Sequence, residues 1–276
     1  DWYDLGPQRP GFSQLTPMGL TATAYYYYDL CIMEKVANLL GEKYDAAEFK
    51  GEAARIKRAF NKAYFHPAKM QYGSGSQTSN AMPLYMGLVE EKNRQAVLKN
   101  LIAGIKKNDN KVTGGDIGYR YLLKVLSDAG RDDVIFDMNS RSDVPGYGYQ
   151  LAQGATALTE SWQALPTVSN NHLMLGHLME WFYESLAGIK QGPNSVGYKN
   201  IIIQPQVVGS VTAVQASYHS AYGVIQSAWK KEGRQFVLNV TIPANTTAQI
   251  ILPSNTKINK PVNIGSGEHE FTVTLK

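Results

Sequence analysis

The chain of 276 residues has a single cysteine, Cys31, so it can form neither an internal disulfide nor a cysteine metal cluster. It contains no apolar run near the roughly 18 residues that would suggest a membrane span. The net charge of +4 is small, and the lysines and arginines are scattered, so the sequence does not indicate nucleic acid binding. A composition of 43% hydrophobic and 18% charged residues indicates a folded globular protein that is long enough for two domains.

The chain opens on Asp1-Trp2-Tyr3-Asp4, without an initiator methionine or a secretory signal. We therefore expect that a targeting segment, or a much longer stretch of protein, precedes these residues. A removed signal would fit a periplasmic or secreted protein, and the sequence carries no other indication of localisation. No feature of the sequence indicates an oligomeric state.

Helical periodicity dominates the first 190 residues. The first helix is expected to have Thr16 as its N-cap, Pro17 in its first turn and Gly41 at its end. The tyrosines at 25–28 fall inside this helix, which favours packing over a sugar-binding platform. In order, the predicted helices span residues 18–40, 45–64, 78–89, 92–107, 118–127, 131–139 and 170–186. Paired helices with alternating short and long connections are typical of an α/α toroid or solenoid.

Beyond residue 190 the hydrophobic period changes to two. The predicted strands span residues 199–204, 211–218, 223–230, 235–242, 247–252 and 270–275, with turn signals that include residues 253–255. Several short strands at this spacing indicate an antiparallel β-sandwich. We therefore predict a helical domain over residues 1–190 and a β domain over residues 191–276.

The longer loops of the helical part, residues 70–77, 112–116 and 140–159, are expected to gather at one end of the helices, where functional residues tend to lie. Just beyond the third loop, Glu160 stands between a small-residue turn and the indole of Trp162. Aromatic rings stack on pyranoses, and a carboxylate beside them can activate water or face an oxocarbenium ion. The sequence therefore predicts a sugar-cleaving site at Glu160. Such chemistry usually needs two carboxylates, and the sequence offers no convincing second one.

Residues 154–162, Gly-Ala-Thr-Ala-Leu-Thr-Glu-Ser-Trp, resemble the Gly-Ala-Thr-Thr-x-x-Glu-x-Trp signature of the bacterial α-L-rhamnosidase family. The preceding Pro-Gly-Tyr-Gly-Tyr at 145–149 is similar to the family's Pro-Ser-Trp-Gly-Tyr loop. Further segments resemble the family in the same order along the chain: residues 1–4, 169–172, 180–183, 186–189, 218–223 and 227–229. The matches run from the first residue to about residue 230, which makes the resemblance specific.

This resemblance implies a mainly α protein with a β domain, namely a partial (α/α)6 toroid followed by a β-sandwich. It also implies hydrolysis of terminal α-L-rhamnosides with inversion, on a rhamnose-containing oligosaccharide or glycoside, with Glu160 as the general base. The family's general acid lies in an upstream Asp-x-x-x-Arg-Asp-Glu-Arg segment that this chain lacks. About seven helices can be counted where six pairs need about twelve. We therefore expect this chain to be the C-terminal part of a longer rhamnosidase.

Five further residues match the family's substrate-binding positions, and each has a structural alternative. Asp1 and Trp2 match a cleft-lining element, although terminal residues fray. Tyr147 stands where the family has tryptophan and could stack on a sugar or pack within its loop. Trp162 could form a pocket wall or pack in the core. His172 could contact a sugar hydroxyl or be a structural residue at a helix start.

For Glu160 the alternative is a solvated glutamate in a helix-start cap with Thr156. His177 and Glu180 share a predicted helical face, but no third ligand is in sight, so we predict neither a metal nor a cofactor.

Three functions stay open: a rhamnoside hydrolase, a glycosidase of another α/α-barrel family, and a catalytically silent carbohydrate-binding fragment. The second would act on glucosides or on oligosaccharides from uronic-acid polymers. Because rhamnose carries a C6 methyl group, an apolar pocket beside Glu160 would favour the first.

Overall fold

A computed structural model describes residues 1–253 and 260–275, so most of the turn predicted at 253–255 lies outside the described residues. The chain divides into two compact units, Asp1–Gly176 and His177–Lys276. The first is helical, and the second is rich in strands. A search of the described residues found no helix with the length and apolar character needed to cross a membrane.

The first unit is built from seven α-helices among the described residues, together with a two-residue hairpin and a 3-10 turn. The helices are α1 (Met18–Leu40), α2 (Lys43–Tyr64), α3 (Gln77–Met86), α4 (Glu91–Lys107), α5 (Asp116–Asp128), α6 (Asp132–Asn139) and α7 (Tyr147–Ala152). Strands β1 (Phe65–His66) and β2 (Gln71–Tyr72) form the hairpin, and the 3-10 turn is Leu173–Leu175. Six of these helices lie where the periodicity predicts them, with ends that differ by up to three residues.

Helix α1 has the predicted C-terminal residue but not the predicted N-cap. It ends at Gly41, which adopts the left-handed conformation with φ of 83°, as predicted. The predicted Thr16 cap is wrong, because Pro17 is the residue that precedes the helix. The Thr16 hydroxyl instead lies 2.7 Å from the Ser76 hydroxyl.

Packing of α1 against α2 follows the amphipathic pattern of α2. The buried residues of α2, Ala46, Ala53, Ile56 and Phe60, recur at helical spacing. From α1, the four tyrosines point around the helix axis: Tyr25 accepts a 3.0 Å hydrogen bond from Tyr121, and Tyr27 packs on the small core between α1 and α2. The prediction that these tyrosines serve packing is confirmed for Tyr25, Tyr27 and Tyr28, whereas Tyr26 is exposed.

Two predicted elements are wrong. The loop at 140–159 contains α7, which begins at Tyr147. The helix predicted over 170–186 does not form as one element. His172 is extended, with φ of −139° and ψ of 123°, because its N–H donates to the carbonyl of Leu158 at 2.8 Å. The second half of the prediction does form, since α8 (Leu178–Trp181) continues directly into a π-helix (Phe182–Leu186).

The second unit carries two four-stranded sheets. One sheet, in the order β10-β7-β6-β5, is antiparallel throughout and combines β5 (Ala213–Ser220), β6 (Gly223–Glu232), β7 (Gln235–Ile242) and β10 (Gly267–Thr274). The other, in the order β3-β4-β8-β9, combines β3 (Ile189–Gln191), β4 (Asn200–Ile203), β8 (Thr247–Ile250) and β9 (Val262–Ile264). It is mixed, since β4 pairs parallel with β8. The expectation of purely antiparallel pairing is therefore wrong for this sheet.

Inward residues of both sheets form one hydrophobic core. Ile203 and Ile250 from the mixed sheet and Phe236 and Leu238 from the antiparallel sheet belong to the same buried cluster. Along β7, buried and more exposed residues alternate, which is the pattern that the period of two predicts.

Candidate functional site

The first turn of α3 anchors two of the predicted functional loops. Its cap is Ser76, whose hydroxyl accepts from the N–H of Ser79 at 3.1 Å. The Gln77 side chain accepts from the N–H groups of Thr113 and Gly114, at 2.9 and 3.2 Å, and donates to the carbonyl of Lys111 at 2.8 Å. Loops 70–77 and 112–116 therefore meet, as predicted, because a buried amide satisfies backbone groups of the second loop.

The carboxylate of Asp1 fixes the start of the chain to the same place. One oxygen accepts from the Thr78 hydroxyl at 2.6 Å and the N–H of Gly115 at 2.9 Å. The other accepts from the N–H groups of Trp2 and Gly118, at 3.0 and 3.2 Å. Both oxygens of this buried carboxylate are thus engaged within the chain, and a role of Asp1 in substrate binding stays a prediction.

Backbone contact between the first residues and α5 is unusually close. Asp116 donates its N–H to the carbonyl of Trp2 at 3.0 Å. A Cβ atom on Gly115 would stand 1.8 Å from that carbonyl oxygen, so only glycine fits at this position. The indole of Trp2 packs edge-on against Tyr3 and Phe12, with ring centroids 5.5 and 5.3 Å apart. A contact of Trp2 with sugar stays a prediction.

Glu160 lies in an irregular segment between α7 and the 3-10 turn. Its N–H donates to the carbonyl of Ser169 at 2.9 Å, and its carboxylate accepts from the N–H of Ser169 at 3.2 Å. The side chain is only partly buried. Since no helix starts here, the alternative of a helix-cap glutamate does not apply. The two-way bond with Ser169 holds a partly solvated carboxylate in a defined position.

Three aromatic rings pack together beside this segment. The ring centroid of Trp162 lies 4.9 Å from that of Tyr119 and 5.2 Å from that of Tyr147. Trp162 is fully buried and donates its indole N–H to the carbonyl of Gly114 at 2.8 Å. The half-buried Tyr147 donates its hydroxyl to the carbonyl of Leu175. The contacts of both residues fit their packing alternatives, and contact with a sugar stays a prediction for each.

Electrostatic interactions connect four titratable side chains from three segments of this unit. Burial raises the pKa of Asp116 to about 6, while the charge of His172 lowers it and that of Glu160 raises it. Burial, followed by the charge of Glu160, raises the pKa of Tyr3. The structure therefore places Tyr3, Glu160 and His172 each within electrostatic range of Asp116, and Tyr3 within range of Glu160.

Sequence reasoning missed Asp116 and Tyr3 as members of this group. Asp116 ends a glycine-rich loop that was predicted to be functional, and Tyr3 lies within a matched family element. These two sequence features point to the loop and to the family element, but neither indicates that Asp116 and Tyr3 interact with Glu160.

The group has the components that sugar chemistry needs: a partly solvated carboxylate, an imidazole, a phenol and a buried carboxyl of raised pKa. Among residues 1–253 and 260–275, no set of three His, Cys, Asp or Glu side chains is arranged to hold a metal ion.

Comparison with known proteins gives matches along almost the whole chain. Residues 1–186 match the model of the bacterial alpha-L-rhamnosidase 6 hairpin glycosidase domain. Residues 188–266 match the model of the bacterial alpha-L-rhamnosidase C-terminal domain.

Relatives with this name are similar over most of the chain. An alpha-L-rhamnosidase of Streptomyces avermitilis is 30% identical over 99% of the chain, and one of Formosa agariphila is 29% identical over 92%. The solved structure of an Aspergillus terreus rhamnosidase covers 99% of the chain with a TM-score of 0.90 and 27% identity. That of the Streptomyces avermitilis enzyme, complexed with L-rhamnose, covers 99% with a TM-score of 0.87 and 28% identity.

The chain is much shorter than these proteins. It spans 28% of the length of both curated relatives, and 32% and 28% of the two solved chains.

Proposed function

This chain belongs to the bacterial α-L-rhamnosidase family, and on that premise we propose that it supplies the general base of an enzyme that hydrolyses terminal α-L-rhamnosides with inversion. The substrate is a rhamnose-containing oligosaccharide or glycoside. The base is Glu160, and the general acid comes from protein outside this chain.

In the proposed reaction, the carboxylate of Glu160 removes a proton from a water molecule. The water oxygen attacks the anomeric carbon as the bond to the leaving oxygen breaks, and the acid protonates that leaving oxygen. Water needs room between the two carboxyl groups, which stand roughly 6.5–9.5 Å apart in inverting enzymes. A base that is partly exposed, and not packed into a helix interface, suits this requirement.

One observation carries the proposal: Glu160 is held by Ser169 within electrostatic range of Asp116 and Tyr3, and Asp116 in turn interacts with His172. These groups come from three segments: the first residues, the start of α5, and the irregular segment after α7. Hydrogen bonds of Asp1 to Thr78 of α3 and Gly118 of α5, and of Trp2 to Asp116, hold the first two segments together. A merely solvated glutamate would not need such surroundings. We further propose that His172 contacts a sugar hydroxyl.

We also propose the finer architecture that the family implies. The helices of residues 1–190 would be part of an (α/α)6 toroid, and residues 191–276 would form a β-sandwich. The toroid is supported by an apolar stripe on α1, where Ile32, Met33, Val36, Leu39 and Leu40 are exposed at helical spacing. The sandwich is supported by the single core that the two sheets share.

The stereochemistry of the product tests the proposal. We expect a version extended upstream to release rhamnose from an aryl α-L-rhamnoside in preference to an aryl glucoside, and the 276-residue chain alone to be inactive. Proton NMR of the first-formed sugar should show the β anomer, because inversion reverses the configuration of the α-glycoside. An α anomer as first product would rule out a base role for Glu160 in an inverting mechanism.

A carbohydrate-binding role without catalysis has one observation in its favour. A polar groove of about 640 Å³ crosses the antiparallel sheet of the second unit and is lined by amide, hydroxyl and carboxylate side chains, including Gln215, Gln226, Asn239, Thr241, Glu268 and Glu270. Such groups can hydrogen-bond sugar hydroxyls. Calorimetric binding of rhamnose-containing oligosaccharides by an extended protein that hydrolyses none of them would favour this alternative.

A further inference from the structure

We propose that Asp116 is a positioning residue of this site, which acts through His172 and sets the charge that surrounds Glu160. The inference rests on the proposed function, since it assigns a role within the same site. It concerns a residue that matches no part of the sequence motif around Glu160.

The position of Asp116 argues against a solvated surface role. It is the first residue of α5, its side chain is 4% exposed, and its N–H is bonded to the carbonyl of Trp2. Its Oδ1 atom is buried and finds no hydrogen-bond partner among the residues that the structure describes. A buried carboxyl oxygen without a donor is costly, so it needs either a proton or a nearby positive charge.

The groups around Asp116 come from three segments. From the first residues come the amino group of Asp1, which favours the ionised carboxyl, and Tyr3, whose pKa is raised in part by Asp116. From the segment after α7 come His172, which favours the ionised form, and Glu160, which opposes it. On α5 itself, the N–H of Ile117 also favours the ionised form.

This arrangement gives Asp116 a function for the site. When ionised, Asp116 attracts the charge of His172, and a charged imidazole donates hydrogen bonds from both ring nitrogens. A sugar hydroxyl can then accept from the imidazolium, and the positive charge offsets the repulsion between the two carboxylates. When protonated, Asp116 is uncharged and no longer attracts the charge of His172. Burial raises the pKa of Asp116 to about 6, so the change falls within the range in which a glycosidase works.

Titration of the Asp116 carboxyl by carbon-13 NMR in the 276-residue chain tests the geometry without any activity. We expect a midpoint near 6, compared with an ordinary value of 3.8. Glu160→Gln should lower the midpoint, and His172→Gln should raise it. The exposed Glu232→Gln, in a strand of the second unit, is the matched control and should leave it unchanged. In the upstream-extended protein, a peptide bond takes the place of the amino group of Asp1. Repeating the titration there measures the pKa of Asp116 without the positive charge of that amino group, which lowers it.

Kinetics test the role. In the upstream-extended protein, Asp116→Asn should remove a limb near pH 6 from the pH profile of kcat/KM on an aryl α-L-rhamnoside. A midpoint near 3.8 that neither variant moves would overturn the inference, as would an unchanged pH profile in an active Asp116→Asn enzyme. An extended protein without rhamnosidase activity would overturn the proposed function instead. Even then, opposite shifts of the Asp116 midpoint in Glu160→Gln and His172→Gln would show that Asp116 is coupled to both side chains.

Discussion

At the residue scale, the first unit contains a buried carboxyl group whose ionised form is disfavoured by its surroundings. Asp116 sits in a buried position where ionisation is opposed by desolvation and by Glu160. An asparagine would occupy a similar volume without a charge. A residue that weakens the fold and lies within reach of a predicted general base is typical of a functional site.

Stability should therefore depend on pH through Asp116. Its pKa is higher in the folded state than the ordinary 3.8, so folding is favoured by protonation, and stability falls as pH rises from about 4 through about 6. A rise in pKa to about 6 corresponds to a loss of up to about 3 kcal/mol at neutral pH. We expect Asp116→Asn to remove this loss and to make the first unit more stable at pH 7, but not at pH 4.

Urea unfolding at several pH values, followed by tryptophan fluorescence, measures the effect. Equal slopes of stability against pH in the wild type and the variant would contradict it.

Motif reasoning found Glu160 and His172 because their neighbours in the sequence match the family. It missed Asp116 because that residue is distinguished only by its burial and its contact with Trp2. The Trp2 contact joins residues more than 100 positions apart, which no local motif reports.

At the element scale, local rules predicted most of the helices and strands. The amphipathic pattern locates α2, and a glycine ends α1 at the predicted residue. Strand β7 matches its prediction at both ends, because its alternation of buried and more exposed residues is regular. Where one face of an element is buried along its whole length, the sequence carries the periodicity that reveals it.

Local rules failed where long-range hydrogen bonds or short elements decide the structure. The apolar pattern over residues 173–186 resembles a helix, but His172 is tied to Leu158 and the chain turns at Gly176. Strands β3 and β9 have three residues each, too few to show a period. The parallel pairing of β4 with β8 leaves no trace in either strand's alternation.

The contact between α3 and α5 depends on a glycine in the first turn of α5. A Cβ atom on Gly118 would stand 1.9 Å from the Thr78 hydroxyl, which itself bonds to Asp1. We expect Gly118→Ala to destabilise the first unit by about 1–3 kcal/mol, because the packed helices must move apart. The matched control is Gly51→Ala in α2, where the added atom would meet nothing within 4 Å. It should stabilise the protein by about 0.5–1 kcal/mol, since alanine is the better helix former.

Denaturant unfolding of the two glycine variants reads out the difference directly. Substitutions of the same sign and size would mean that α3 and α5 are not packed as closely as the structure has them.

At the scale of the whole molecule, we propose that the chain carries one part of the catalytic machinery. It spans 28% of the curated rhamnosidases from Streptomyces avermitilis and Formosa agariphila, and it carries the proposed base together with the β domain. An inverting reaction needs both a base and an acid. We therefore propose the activity for a longer protein that supplies both groups, to which this chain would contribute the base.

The central claim is that Glu160 is the general base, and the most direct test is kcat/KM of Glu160→Gln on an aryl α-L-rhamnoside in the upstream-extended protein. The matched control is Glu48→Gln, an exposed glutamate on α2. Loss of a general base is expected to lower the rate by about 10²–10⁴-fold, while the control should retain the wild-type rate. A folded Glu160→Gln enzyme as active as the wild type would contradict the assignment.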